Sequence, residues 1–392
     1  MKRTKVLQEN RIMRFEDIYG RCTNRSLTQE EAAEILGVSS RTFRRYINRY
    51  EEGGLMALYD KRLEQRSNRR APVDEANKLV DSYRQSYLGW NVKHFHSWYS
   101  RSGGTRSYSW VKNTLQSYGV VKPVRKRGVH RIRRDPSPLP GMMIHQDAST
   151  HEWVPGQKWD LIVTMDDATN EIYSMFFCYQ EGTASSFRGV REVIEKHGRF
   201  CKLYTDRGSH YWHTPKAGGK VDKTNPTQFG RGLKQLDIEM IAAYSPQARG
   251  RSERVFGTHQ DRLVKELAKA GITDMETAND YIQTTYLPAY NAEFKREARE
   301  EGSAFVPYQG LLVLDDILCE HHDRVVGCDN CVQFEGLVLQ IPADRHRHHY
   351  VKAKVKVMRH HDESLSIYYG PRLLAKYTAG GSLIAEEERV AA

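Results

Sequence analysis

The chain has 392 residues, 39% of them apolar, which is enough for two to four domains with at least one sizeable core. No apolar run approaches the roughly 20 residues of a membrane span, and the opening MKRTKVLQENRIMRF lacks the apolar centre of a signal peptide, so a cytoplasmic chain without membrane contact is expected. The net charge of +11 is uneven: residues 1–134 hold 29 Lys and Arg against 13 Asp and Glu, while the remaining 258 hold 31 against 36. A basic N-terminal third suits a polyanion such as nucleic acid, or else a solvated basic surface.

Residues 26–50, SLTQEEAAEILGVSSRTFRRYINRY, have the layout of a helix-turn-helix, with Ala32, Ala33 and Leu36 on an amphipathic turn and Gly37 at a sharp bend. Ser39 is placed to cap a second helix whose outer side presents Arg41, Thr42, Arg44, Arg45 and Arg49, residue types that read guanine edges or grip phosphates in a major groove. A first DNA-binding domain over 1–66 follows. Residues 67–120 repeat the theme more weakly: helical runs at 73–87 and 92–100 precede GGTRSYSWVKNTLQSYGV, a turn and a helix presenting Tyr108, Trp110 and Lys112. Seven Lys or Arg and no acid fill KPVRKRGVHRIRR, with Arg125, Lys126, Arg127 and Arg131 at its centre. This stretch reads as a basic linker, 121–138, tracking a phosphate backbone, or as a disordered tether.

From Gly141 short apolar runs appear at MMIHQDA, WDLIVTMDD, EIYSMFFCY, FCKLYTD and IEMIAAY, with helical patterns at 184–197, about 228–236 and 247–270. Three strands, a helix, a strand, a helix, a strand and a long helix describe a mixed α/β sheet over 139–300, closed by a helix near 274–292. Residues 310–380 alternate apolar and polar over VQFEGLVLQI, KAKVKVMRH and SLSIYYG, which predicts a small β-barrel or sandwich.

Three acids stand out by position. Asp147 lies in the first strand run, Asp206 ends the strand FCKLYTDRGS, and Glu253 falls in the first turns of the long helix, on the face of Phe256, Leu263 and Leu267, where it is expected to point inward. In an α/β sheet such positions converge on one edge, and three gathered carboxylates repel unless cations neutralise them. Oxygen-only ligands suit Mg²⁺ or Mn²⁺, and two such ions serve phosphodiester displacement. Asp166 and Asp167, in TMDDATNEIY, suit a hairpin turn instead, and Asp160 at a strand start is expected to be solvated. Among the basic residues flanking Glu253, Arg249, Arg251, Arg254, Arg262 and Lys265 suit phosphates, although Arg262–Glu266 fits a solvated i,i+4 pair equally well. Six cysteines, mostly far apart, suit reduced thiols. CEHHDRVVGCDNC (319–331) superficially offers zinc ligands, but Cys328 and Cys331 better suit the flanks of an Asp329-Asn330 turn, and RHRHH (345–349) suits an exposed loop.

Residues 139–300, through HQDASTHEW, LYTDRGS and YSPQARGRSERVFGTHQDRL, resemble the RNase H-like catalytic core of DDE transposases and retroviral-type integrases, and the whole chain resembles bacterial insertion-sequence transposases of the ISNCY type. The resemblance implies that Asp147, Asp206 and Glu253 form a catalytic, metal-binding triad for Mg²⁺ or Mn²⁺, two ions in all. Intervals of 58 and 46 residues separate the three; the loop 213–226 accounts for the length of the second, and Arg207 stands where relatives often carry Asn. It also implies binding of terminal inverted repeats and of target DNA, 3′-end cleavage followed by strand transfer without a covalent protein–DNA intermediate, and at least a homodimer in the synaptic complex. A DNA-binding regulator with an inactive integrase-like domain, and an RNase H-like nuclease without strand transfer, are the alternatives.

Overall fold

A computed structural model of the chain describes residues 2–59, 71–123, 135–215, 219–244, 252–310, 313–343 and 347–384. Two compact units, 1–82 and 83–392, make up the chain.

In the first unit, α1 (Lys2–Thr23), α2 (Gln29–Leu36) and α3 (Ser40–Gly53) enclose Phe15, Ile18, Ala32, Ala33 and Phe43. Local chemistry fixes the ends of these helices. Thr28 and Glu31 form a reciprocal capping box at the start of α2, with the Thr28 N–H donating to the Glu31 carboxylate over 2.8 Å. Gly37 then takes a left-handed φ of 66°, and Ser39 Oγ accepts the Thr42 N–H at 3.3 Å to start α3. A single turn at Leu55–Leu58 follows, and α4 (Val73–Ser86) begins in this unit.

The second unit opens with α5 (Val92–Arg101) and α6 (Tyr108–Ser117), then builds a mixed sheet. Its elements are β1 (Ile144–Val154), β2 (Gln157–Asp166), β3 (Ile172–Cys178), α7 (Thr183–His197), β4 (Lys202–Thr205), α8 (Gln228–Gln235), β5 (Glu239–Ala242) and α9 (Ser252–Ala270), the order predicted from the sequence. The strands lie in the order β3-β2-β1-β4-β5, with the first three antiparallel and β1, β4 and β5 parallel. One face packs on α7 and α8 through Ile144, Phe187, Val190, Leu203, Phe229 and Leu233. The other packs on α9 and the helices after it through Trp153, Leu161, Val163, Phe256, Leu263 and Tyr286. Because helices cover both faces, β2 is buried along eight consecutive residues and reads as an unbroken apolar run.

The helical closure is α10 (Met275–Tyr281), a π-helical turn over Ile282–Tyr286, and α11 (Leu287–Phe294). Pro288 has no N–H to give and its ring crowds the preceding turn, which accounts for the widened stretch. Arg262 on α9 donates to both oxygens of Glu293 on α11 at 2.9 and 3.1 Å, and Glu266 accepts from His94 Nε2 on α5 at 2.7 Å. Arg262 and Glu266 are therefore buried and take separate partners, unlike the solvated pair their spacing allowed. Burial holds His94 below the usual imidazole range. Burial alone would raise Glu266, but the bonds from His94, Trp98 and Tyr281 outweigh it and hold the carboxylate low, so a neutral imidazole donates to an anion.

After α12 (Leu314–Ile317) come β6 (Glu320–Val325), β7 (Cys331–Phe334), β8 (Leu337–Gln340), β9 (Lys354–Arg359), β10 (Leu365–Tyr369) and β11 (Arg372–Tyr377). They form a four-stranded antiparallel sheet, β11-β10-β9-β6, and a β7–β8 hairpin around one core that includes Val332, Phe334, Tyr350, Val357 and Ile367. No described helix is long and apolar enough to cross a membrane.

Candidate active site

Side chains of β1 alternate between the two helical layers. Gln146 reaches the α7 side, where its Nε2 donates to the Ser186 carbonyl at 3.1 Å, while Ser149 Oγ accepts from Gln260 of α9 at 3.0 Å. Asp147 therefore belongs to the α9 face, where it is buried and its Oδ1 accepts the Ala148 N–H. Strand β4 runs parallel beside β1 with Ile144 opposite Leu203 and His145 opposite Tyr204. That register, continued two residues, brings Asp147 level with Asp206, the first residue after β4. The half-buried Asp206 carboxylate accepts the Gly208 N–H at 2.8 Å, a tight turn that holds it at the strand end.

Glu253 lies in the first turn of α9 and is exposed, which corrects the expectation that it points inward. The buried face of α9 is wider than its apolar residues alone imply, since His259, Arg262 and Glu266 are buried with Phe256, Leu263 and Leu267. At about 100° per residue the centre of that face lies about 100° from Glu253, which leaves the acid at the rim. The direction of α9 is set by two contacts: Gln157, at the start of β2, bonds the Thr273 carbonyl just beyond the C-terminus of α9 at 2.8 Å, and Gln260 bonds Ser149 midway. The N-terminus of α9 consequently points toward the Asp147 end of β1, and Glu253 lies on the stripe of Gln260, two turns before it. Asp147 and Asp206 are level along neighbouring strands by that register, but among the described residues no three His, Cys, Asp or Glu side chains are gathered closely enough to hold a metal ion. As hard oxygen donors on adjoining strands, the two aspartates fit a divalent cation, and one more oxygen ligand from the chain would complete the set.

The rival acids have structural duties. Asp166 accepts from Gly141 N–H and from both the N–H and hydroxyl of Thr169, at 2.8–2.9 Å, and burial pushes its pKa up. Asp167 accepts from Ser137 N–H and Oγ and lies 2.8 Å from His145 Nε2. Asp160 is buried, not solvated, because its Oδ2 accepts the Glu181 N–H at 2.6 Å at the start of the β3–α7 connection. Arg207 donates to the Gly219 carbonyl and lies over the Tyr244 ring. Cys328 is exposed and Cys331 buried around a turn in which Asn330 takes φ 57°, as its spacing predicted.

On α3, Arg41, Arg44, Arg45 and Arg49 are exposed and Thr42 is half-buried, while Phe43 faces the core. On α6, Tyr108 is exposed and Lys112 half-buried, with Val111, Thr114 and Leu115 inward. Arg125, Lys126, Arg127, Arg131, Arg249 and Arg251 lie outside the described residues. Sequence reasoning missed Tyr211 and Trp212, which bond the residues just before the two aspartates, and Glu181, which lies beside the Tyr211 hydroxyl; the run HYW straight after the DRGS turn was the available signal.

The chain combines an N-terminal helix-turn-helix region, a mixed-sheet core covered by helices on both faces, and C-terminal antiparallel sheets. Residues 24–76 match the family described as winged helix-turn helix. Over 339 residues the chain is 28% identical to the putative transposase y4bF of Sinorhizobium fredii, across 84% of this chain and 72% of that protein. It is 27% identical over 248 residues to the transposase for insertion sequence IS1202 of Streptococcus pneumoniae, across 63% of this chain and 50% of that protein. Among solved structures, a pre-cleavage Mos1 transpososome aligns with 72% of this chain and 92% of its own, at 16% identity and a TM-score of 0.28. The HTLV-2 integrase catalytic core in complex with magnesium aligns with 37% of this chain and 85% of its own, at 16% identity and a TM-score of 0.29. The chain resembles transposases over most of its length.

Proposed function

We propose that this chain is a DNA transposase that binds the terminal inverted repeats of its element and catalyses metal-dependent 3′-end cleavage and strand transfer into target DNA. The helix-turn-helix of 1–66, through Arg41, Thr42, Arg44, Arg45 and Arg49, and the helical unit of 67–120, through Tyr108 and Lys112, recognise the ends. The linker 121–138, with Arg125, Lys126, Arg127 and Arg131, follows the backbone. Arg249 and Arg251 contact phosphates beside the core of 139–300. The β-domain of 310–380 contacts DNA or a second protomer, and pairing two ends requires at least a homodimer.

Asp147, Asp206 and Glu253 would hold Mg²⁺ or Mn²⁺, two ions in all, which when bound activate the attacking oxygen and stabilise the leaving one. The chain's own part is geometric. Sheet pairing fixes the two aspartates, the Gly208 N–H orients Asp206, and α9 brings a third acid to the same end of the sheet. What supports the reading most is the β1–β4 register that levels Asp147 with Asp206. Glu253→Gln is expected to abolish Mg²⁺-dependent cleavage and joining of labelled element ends while sequence-specific binding persists. A variant that still joins ends refutes the triad. Wild-type cleavage that never yields joined products supports the nuclease, and binding without either reaction supports the regulator.

A further inference from the structure

Two consecutive aromatic residues after Asp206 turn back toward the strands that carry the aspartates. Tyr211 is buried, and its hydroxyl lies 3.2 Å from Gln146 Oε1, on the residue just before Asp147. Trp212, also buried, donates its Nε1–H to Thr205 Oγ1 at 3.0 Å, on the residue just before Asp206. Thr205 Oγ1 in turn donates to the Asp206 carbonyl at 2.9 Å. One short loop thus grips the side chain of the residue before each aspartate, through neighbouring aromatic residues that point to different strands.

The grip is itself braced. Ser186 Oγ donates to the Tyr211 hydroxyl at 3.2 Å, and Glu181 Oε1 lies 3.4 Å from it on the other side. Glu181 also lies 3.4 Å from His210 Nε2, and the His210 ring sits on Tyr211 with centroids 3.9 Å apart. A Cβ at Gly208 would meet His210 Cε1 at 2.9 Å and Asp206 Oδ1 at 3.1 Å, so the imidazole is wedged against the turn that holds Asp206. Burial first, then the charges of Glu181, Asp147 and Asp206, keep the Tyr211 hydroxyl protonated and therefore a donor.

We propose that Tyr211 and Trp212 are positioning residues for a divalent-cation site at Asp147 and Asp206, fixing the two carboxylates at a binding separation. The inference rests on the reading of those aspartates as cation ligands. The physical need is clear: two carboxylates side by side repel, and without bracing the strand ends relax apart, so that ion binding has to supply the cost of closing them. Hydrogen bonds behind a ligand shell contribute about 10- to 100-fold to metal affinity. Neither aromatic touches the reacting atoms. Their effect is transmitted through Gln146 and Thr205.

The test is Mn²⁺ titration calorimetry on the full chain without DNA, with cleavage measured in parallel as a function of Mn²⁺ concentration. Tyr211→Phe keeps its ring and removes one donor, so its thermal unfolding should stay near wild type, whereas Trp212→Phe removes the donor together with part of the buried indole and should unfold at a somewhat lower temperature; Mn²⁺ affinity, measured well below either midpoint, should fall about tenfold or more in both. Raising Mn²⁺ should restore cleavage in both variants. Tyr173→Phe, a buried tyrosine elsewhere in the same core, is the control and should leave affinity unchanged. Wild-type Mn²⁺ affinity in both donor-deleted variants, beside loss of binding in Asp147→Asn, overturns the positioning role alone. Wild-type affinity in Asp147→Asn instead refutes the underlying reading of the site.

Discussion

His259 makes acid stability a sharp test of the α9 packing. Its imidazole is fully buried between α9 and the π-helical turn, with Nδ1 2.9 Å from the Tyr286 hydroxyl and the ring 4.6 Å from that of Tyr290. Its Nε2 has no hydrogen-bond partner among the described residues. Burial, and then the nearby Arg262 charge, push its pKa down to about 3. The folded value is depressed below the unfolded one of about 6.5, so the unfolded chain takes up the proton first as pH falls. Stability is full above pH 6.5 and declines by about 1.4 kcal/mol per pH unit, until the folded state is itself protonated near pH 3. Between pH 6.5 and 5 the loss is about 2 kcal/mol from this residue, a sizeable share of a typical total of about 5–15 kcal/mol. His94, also held low by burial, adds to the loss in the upper part of the same window. All six tryptophans lie beyond residue 82, so their fluorescence in urea titrations reports the second unit alone. His259→Gln, which does not titrate, is expected to start less stable, because Tyr286 loses a well-placed partner, yet to lose about 2 kcal/mol less than wild type between pH 6.5 and 5. Parallel losses in the two proteins would refute the buried, neutral state of His259.

Two further predictions test the α7 layer of the core and the helix-turn-helix. At Gly189 on α7 an added Cβ would stand 2.3 Å from Gln146 Nε2 and 2.7 Å from Thr164 Oγ1. Alanine gains about 1 kcal/mol of helix propensity, but overpacking costs about 1–3 kcal/mol, and Gln146 is pinned by two bonds. Gly189→Ala should therefore destabilise by up to about 2 kcal/mol in urea titration, and a more stable variant would mean that α7 does not press on β1 as described. Arg44→Ala, on the exposed side of α3, should weaken binding to element ends and lower the slope of log affinity against log salt by about one. An unchanged slope removes Arg44 from the DNA interface.

Features set by local chemistry were legible before any coordinates. Gly37 at the bend and Ser39 as a cap announce the helix-turn-helix, and the structure adds the capping box of Thr28 and Glu31 to them. The buried strands of the core stand out as apolar runs for the same reason. Strand β6 did not, since EHHDRV carries no apolar alternation and becomes a strand only by pairing with β9. Long-range partners also decided which acids were buried. Asp160 reads as solvated until Glu181 lends it an N–H, and Arg262 and Glu266 look like a surface pair until Glu293 and His94, 31 and 172 residues away, claim them. HYW after DRGS marks Tyr211 and Trp212 as aromatic residues close to Asp206 in sequence, but nothing in it reveals that the two point to different strands.

The misjudged direction of Glu253 bears on how a third carboxylate reaches the aspartates. Beyond its first turns α9 is fixed on two sides: Gln260 bonds Ser149 of β1, while Arg262 pairs with Glu293 of α11 and Glu266 with His94 of α5. Asn91 donates to Asp261, and the Lys269 ammonium sits 3.6 Å from the Tyr87 ring centroid. Sliding the whole helix toward Asp147 would break the buried Arg262–Glu293 ion pair and the buried Glu266–His94 hydrogen bond, and separating the ion pair alone leaves an uncompensated buried charge at a cost of about 3–5 kcal/mol. A change confined to the turn of Glu253, where the side chain is already exposed, breaks none of these contacts. On the proposed triad, closure of the carboxylate set would therefore be a local rearrangement at the N-terminus of α9, with the remainder of the helix serving as its fixed base.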